Sequence, residues 1–118
     1  MSVNKVILLG NVGKDPDMRY PQPGQTIASF PLATTERAYT SSNGTQVAER
    51  TERHSIVLSG RKAEIAERDT KKGMLLYIEG KLRTRAWEDR NQIKRYVTEV
   101  YADVVEMLSR GGGGNSQQ

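Results

Sequence analysis

Between Leu75 and Glu88 the chain reads LLYIEGKLRTRAWE and alternates with a period of two. Leu76, Ile78, Gly80 and Leu82 fall on one parity, and Tyr77, Glu79, Lys81, Arg83, Arg85 and Trp87 on the other. Successive side chains of a β-strand point to opposite faces, so the first set predicts a buried face and the second an open one. The same alternation marks residues 26–36, where Ala28, Phe30 and Leu32 share a parity and Phe30 is expected in the core. It returns at residues 47–59: Glu52, His54, Ile56 and Leu58 read inward, and Thr51, Arg53, Ser55, Val57 and Ser59 outward. Residues 3–12 are apolar on both parities, which predicts a strand covered on two sides.

The remaining stretches are punctuation. Residues 15–24 hold Pro16, Pro21 and Pro23 and predict irregular chain with a short strand at 18–20. Pro31 implies an edge position or a bulge within its strand. Residues 38–46 read as a polar loop with an Asn43-Gly44 turn, and Tyr39 at its base is either a loop anchor or a stacking ring. The narrow stripe of Ala63, Ile65 and Ala66 predicts a helix over residues 61–72, ended by Lys71-Lys72 and Gly73. A turn at residues 89–92 then leads into a last strand at 93–108, long and irregular in its alternation. Residues 1–109 are expected to form one folded domain, and residues 110–118, RGGGGNSQQ, a flexible tail.

Charge sharpens this picture. Six cations lie between residues 81 and 95 (Lys81, Arg83, Arg85, Arg90, Lys94, Arg95) against Glu88 and Asp89, so this strand-turn-strand arm carries as much positive charge as the whole chain, +4. A row of cations beside the single tryptophan, Trp87, has a plain reading as a solvated face. It also suits a single strand of nucleic acid, with charge for phosphates and a flat ring for bases. Catalysis finds little support. Asp15, Asp17, Glu88 and Asp89 sit in predicted turns with no histidine placed beside them, and one histidine without any cysteine leaves little for a zinc site. Neither a cofactor nor a metal is expected. His54 reads as a hydrogen-bonded core or interface residue. No apolar run approaches membrane-spanning length and no signal-peptide pattern opens the chain, so a soluble, cytoplasmic protein is expected.

The predicted order is three strands, a helix and two strands, which is the arrangement of a five-stranded OB-fold barrel with the helix between strands three and four. The residues themselves resemble a family. Val3-Asn4-Lys5-Val6-Ile7-Leu8, Gly10-Asn11 with Gly13, Asp15-Pro16, Arg19-Tyr20, Leu32-Ala33-Thr34, Thr51-Glu52 with His54, Tyr77-Ile78-Glu79-Gly80, Leu82-Arg83-Thr84-Arg85 with Trp87, and Met107-Leu108 look like the bacterial single-stranded DNA-binding proteins of the homotetrameric OB-fold type. The resemblance covers nearly the whole predicted domain. It implies a nucleoid-associated protein that coats single-stranded DNA without sequence preference during DNA replication, recombination and repair. By position, Trp87 matches a stacking tryptophan and Arg83 and Arg85 basic residues beside it; Lys81 joins them as the first of the row of cations. Arg61 and Lys72 match basic residues flanking the helix, and Tyr39 another stacking position. A tetramer is implied too, and the doubly apolar first strand suggests Asn4, Val6 and Leu8, with His54, as its contact residues.

Three departures qualify the resemblance. The family usually carries a tryptophan where this chain has Arg53 and often a phenylalanine where it has Ser59. Each base–aromatic stack contributes roughly 1–3 kcal/mol, so affinity here is expected to lean more on charge, with the Arg53 guanidinium stacking in part. The family also ends in an acidic, apolar tip that recruits repair and replication enzymes. Asn115-Ser116-Gln117-Gln118 has no such character, and recruitment of tip-dependent enzymes is not expected from it. A dimeric replication-restart accessory protein on the same fold, acting mainly through partner docking, is the alternative reading.

Overall fold

The computed structural model describes residues 1–109. Five long strands carry the architecture: β1 (Val6–Val12), β3 (Ile27–Glu36), β6 (Arg50–Ser59), β7 (Leu75–Glu88) and β8 (Lys94–Ser109), with helix α1 (Arg61–Asp69) between β6 and β7. Three short strands, β2 (Asp17–Arg19), β4 (Tyr39–Thr40) and β5 (Gln46–Val47), complete the described elements. The sheet runs β1-β7-β8-β6-β3-β2, and β1 returns to β3 through Asn11↔Ala33 and Val12↔Leu32. That second pairing closes the barrel. Its other seam is short and parallel, Ile56↔Val100 and Val57↔Tyr101 between β6 and β8. This is the five-stranded OB barrel that the order of elements predicts, with the helix in the expected place.

Period-two patterning fills the barrel. Ala28, Phe30 and Leu32 from β3, Ile56 and Leu58 from β6, and Leu76 and Ile78 from β7 are all buried, and Ala63 and Ala66 bring one face of α1 onto them. Burial of this apolar surface is the main drive to fold. Pro31 pairs with Ser55 of β6 on one side. Its other side falls between the residues that meet β2 (Ile27–Ser29) and those that meet β1 (Leu32, Ala33), where its carbonyl accepts from the Gly13 N–H at 2.8 Å. A residue lacking its own N–H is tolerated in that gap, so the predicted edge is a local one. Gly80 stands where β7 crosses β8 most closely: a Cβ there would overlap the Tyr101 carbonyl and lie 2.9 Å from the Ala102 Cα.

Several expectations are corrected. The helix ends at Asp69, not at residue 72, because tertiary contacts take over. Thr70 turns extended while its N–H still bonds the Ala66 carbonyl, and Gly73 (φ +93°) reverses the chain. The Gly73 N–H then donates to the Val12 carbonyl at 2.7 Å, and the Val12 N–H to the Met74 carbonyl at 2.9 Å. Lys71 and Lys72 therefore lie in the turn after the helix. Residues 38–46 are not plain loop but a hairpin, with Tyr39↔Val47 and Thr40↔Gln46 paired and Gly44 at φ +88°. The irregular last strand has a definite cause. Its register against β7 steps between Glu79↔Val104 and Gly80↔Ala102, leaving Asp103 as the extra residue of a bulge. Val100 and Ala102 face inward above the bulge and Val105 below it, so the parity of β8 reverses there. The expected tail, residues 110–118, lies outside the described residues.

Candidate nucleic-acid interface

The outward residues of four neighbouring strands make one continuous face. From β3 it takes Ser29 and Pro31; from β6, paired to them residue by residue, Val57 and Ser55, with Arg53 and Ser59 to either side. Tyr101 of β8 lies beside Val57, and Lys81 and Arg83 of β7 meet Tyr101 and Glu99. Within this face a groove of about 290 Å³ is lined by Arg19, Pro21, Ile27, Ser29, Val57, Ser59, Arg85, Glu99 and Tyr101. At its floor the Glu99 carboxylate is almost fully buried and is gripped at both oxygens by Arg85, Nε at 3.0 Å and a terminal nitrogen at 3.4 Å. Hydrogen bonding to Glu99 holds the Arg85 guanidinium still more firmly protonated. The Arg83 guanidinium lies 5.1 Å above the centre of the Tyr101 ring, in cation–π range.

Beyond the groove β7 and β8 run on as a two-stranded arm, paired as far as Glu88↔Lys94. On its β1 side β7 has no strand partner beyond Gly80, and Leu82, inward by parity, is 47% exposed as a result. Its expected burial fails because the barrel that would cover it has ended. Asn4 fills part of the gap. Its side chain accepts from the Leu82 N–H and donates to the Leu82 carbonyl, both at 2.9 Å, extending β1's edge by one side chain. At the tip, Asp89 Oδ1 accepts the N–H groups of Asn91 (2.8 Å) and Ile93 (3.0 Å) while Oδ2 accepts from Arg95 Nε (2.9 Å). These bonds, the Ile93 amide foremost and then Arg95, hold the Asp89 carboxyl below the usual carboxylate range. Trp87 projects from the arm, 45% exposed. Among the described residues Lys81, Arg83, Arg90 and Lys94 of the arm enter no ion pair, whereas Arg85 and Arg95 are each neutralised by a carboxylate.

The structure brings together most of the sequence-predicted binding residues but not all. Arg53, Lys81, Arg83, Arg85 and Trp87 share the outward face and its arm. Arg61 opens the helix one residue beyond Ser59, after the Gly60 cap, near the groove's end. Lys72 is separate: the nine-residue helix, about 13 Å long, stands between it and Arg61, and its N–H is bonded to Asp15. Tyr39 is exposed on the β4–β5 hairpin, away from the groove lining.

Residues 3–108 match the model of the single-strand binding protein family. The chain belongs to that family. A single-stranded DNA-binding protein of Bacteroides thetaiotaomicron is 56% identical over 112 residues, 95% of this chain and 70% of that protein. Among solved structures, the Plasmodium falciparum SSB complex with ssDNA superposes with a TM-score of 0.81 at 29% identity, covering 92% of this chain and 97% of that one. A deletion mutant of the Thermus aquaticus single-stranded DNA binding protein gives 0.75 at 34% identity, covering 91% of this chain and 51% of that one. Membership accounts for the barrel.

The contact residues expected for assembly divide differently. Val6 and Leu8 pack against the core, and their neighbours Ile7 (59% exposed) and Leu9 (54%) face out. His54 is half-buried and its Nε2 lies 2.9 Å from the Thr34 hydroxyl. Around Ile7 and Leu9 the outer side of β1, β7 and β8 adds Tyr77, Glu79 and Val104 at matching register, with Lys5 bonded to Glu79 at 2.9 Å. Three residues escaped the reading of the sequence altogether: Tyr101 and Glu99 in the groove, and Tyr96 on the arm, 68% exposed with Lys94 over its ring. A strict parity count from Trp87 across the hairpin would have found the first two, since Trp87 pairs with Arg95 and thus Glu99 and Tyr101 share its face.

Proposed function

We propose that this protein coats single-stranded DNA in the bacterial cytoplasm, sequence-tolerantly, during replication, recombination and repair. The observation that carries the reading is the continuous outward face from Arg53 to Trp87, cationic and interleaved with aromatic rings, on a barrel similar to that of the Plasmodium falciparum SSB complex with ssDNA. Lys81 and Arg83, in no ion pair among the described residues, supply charge for phosphates and Trp87 an exposed ring for bases; Arg90 at the tip and Lys94 and Tyr96 on the arm's other face add charge and a ring where DNA passes around the arm. Arg53 and Arg61 extend the path beside the groove; Lys72, beyond the helix, and Tyr39, on the β4–β5 hairpin, stand apart from it and meet DNA where the strand continues round the barrel. Arg85, occupied by Glu99, contributes by position more than by free charge.

The working form is a homotetramer. Ile7, Leu9, Tyr77 and Val104 form an apolar outer face on β1, β7 and β8 that one barrel leaves uncovered, and the β1 edge lies beside it. Such a surface is what a second copy covers. Anisotropy of a labelled oligo-dT of about 65 nucleotides, read together with light-scattering mass, tests both statements. Tight binding by a four-subunit particle is the expected result. A weakly binding dimer would replace it with the partner-docking alternative, and absence of binding would leave the charged face a solvated one.

A further inference from the structure

We propose that the groove between Tyr101 and Ser59 is a nucleobase subsite, in which the Tyr101 ring is the wall a base packs against and the Glu99 carboxylate accepts a hydrogen bond from the base's exocyclic amino group. This rests on the reading of the protein as a single-strand binder and adds to it a place and a chemistry. The position where an aromatic is expected on β6 holds Ser59, which offers no ring. Ser59 nevertheless lines the same groove as Tyr101, reached from the neighbouring strand β8 through the pair Val57↔Tyr101. An aromatic wall is thus present from the other side of the groove. Arg83 over the ring at 5.1 Å fixes it and brings a cation beside the same position.

Glu99 is otherwise hard to place. A carboxylate buried on a face meant for a polyanion opposes phosphate binding, and here it also occupies Arg85. Held by two guanidinium contacts, it keeps further lone pairs, because an ionised carboxyl accepts at about four sites. Carboxylates read the amino group of cytosine and are mismatched to the carbonyl that thymine presents at the same place. The groove, about 290 Å³ with the Ser29 and Ser59 hydroxyls at its sides, has the scale of a small ligand cleft. Within an otherwise tolerant path, this one position then favours bases that carry an amino group.

The test uses the full chain and labelled oligo-dC and oligo-dT of equal length, about 35 nucleotides, across a salt series. Tyr101→Leu is expected to weaken both by about 5-fold or more with an unchanged salt slope, because a stack and not a phosphate contact is lost. Tyr101→Phe, which keeps the ring, is expected to stay within about 2-fold of the original. Glu99→Gln is expected to lower the ratio of dC to dT affinity by about 5-fold or more. That ratio is insensitive to the folded fraction of the sample, and the charge freed on Arg85 acts on both oligonucleotides alike. Unchanged binding in Tyr101→Leu, or an unchanged ratio in Glu99→Gln, overturns the subsite while wild-type binding stands. Failure of the unsubstituted chain to bind either oligonucleotide removes the single-strand reading and the subsite together.

Discussion

Strand β7 is one strand with two lives. From Leu75 to Gly80 it is flanked by β1 and β8, its even residues are sealed in the core, and its odd residues Tyr77 and Glu79 are half-buried beside Ile7, Leu9 and Val104. From residue 82 onward both parities are exposed, and the outward positions become Arg83, Arg85 and Trp87. Polarity follows the same division. Below the bulge two acids flank Tyr77: Glu79, matched by Lys5 and the Tyr77 hydroxyl, and Glu106 across from it on β8; above the bulge cations outnumber acids. The difference teaches that one period-two pattern encodes three surfaces, a core, an apolar outer face suited to another protein chain, and a cationic face suited to phosphate. Which of the last two a residue joins depends on where the third strand stops.

Placing a charge on the apolar outer face should have the largest effect. Leu9→Glu would bury an uncompensated carboxylate in the proposed subunit contact, at a cost of about 3 kcal/mol or more. Light scattering should then show the assembly fall to smaller species, with affinity for a short oligonucleotide little changed; an intact tetramer would move the interface elsewhere. Gly80→Ala strikes the seam between the two halves. Its Cβ meets backbone atoms of Tyr101 and Ala102, which cannot rotate aside. We expect a loss of about 3 kcal/mol of stability in denaturant unfolding; a change within experimental error would mean that the β7–β8 bulge relaxes freely. Trp87→Ala should act on the arm alone, weakening single-strand binding about 10-fold at unchanged particle mass. An unaltered dissociation constant would take Trp87 out of the interface.

Much of the fold was legible because β3 and the lower half of β7 obey strict alternation, so Phe30, Leu76 and Ile78 could be assigned to the core one residue at a time. On β6 the inward reading holds for Ile56 and Leu58, but Val57 between them is buried as well, and Glu52, read inward, is exposed because the strand has left the barrel there. Where both parities are apolar, alternation is silent. Nothing local distinguishes Val6 and Leu8 from Ile7 and Leu9, and only the pairing of β1 with β7 and β3 decides which pair turns inward. Tyr101 and Glu99 lie on the unbroken side of the bulge at Asp103 and were within reach of a parity count from Trp87; the bulge hides only the change of face beyond them, at Val104 and Val105. The end of α1 was misjudged for a related reason. Lys71 and Lys72 have good helical propensity, and hydrogen bonds to Val12 and Asp15, distant in sequence, pull them out of the helix. The cationic row was visible at once; its tally already counted Asp89, the partner of Arg95, and missed only Glu99, which meets Arg85 once β7 and β8 are paired.

The smallest effect concerns pH and the arm's tip. Asp89 is held below the ordinary carboxylate range, chiefly by the Ile93 amide and then by Arg95. In the unfolded chain the same carboxyl titrates near 4. A depressed folded value means that the unfolded form binds the proton more readily, so the stabilisation is complete above about pH 4 and is lost as pH falls through the depressed value. Nothing should therefore change at this turn between neutral and mildly acidic pH. Trp87, the single tryptophan, sits two residues from Asp89, and its fluorescence anisotropy reports the order of the arm. In the unsubstituted chain that anisotropy should stay flat on acidification and then drop below about pH 4. In Asp89→Asn the amide oxygen still accepts from the Asn91 and Ile93 N–H groups but has no charge to lose, so the drop should flatten while binding at neutral pH stays within about 2-fold. An identical acid profile in the two proteins would show that the turn is ordered by the strand pairing of Glu88 and Lys94 and not by the Asp89 charge.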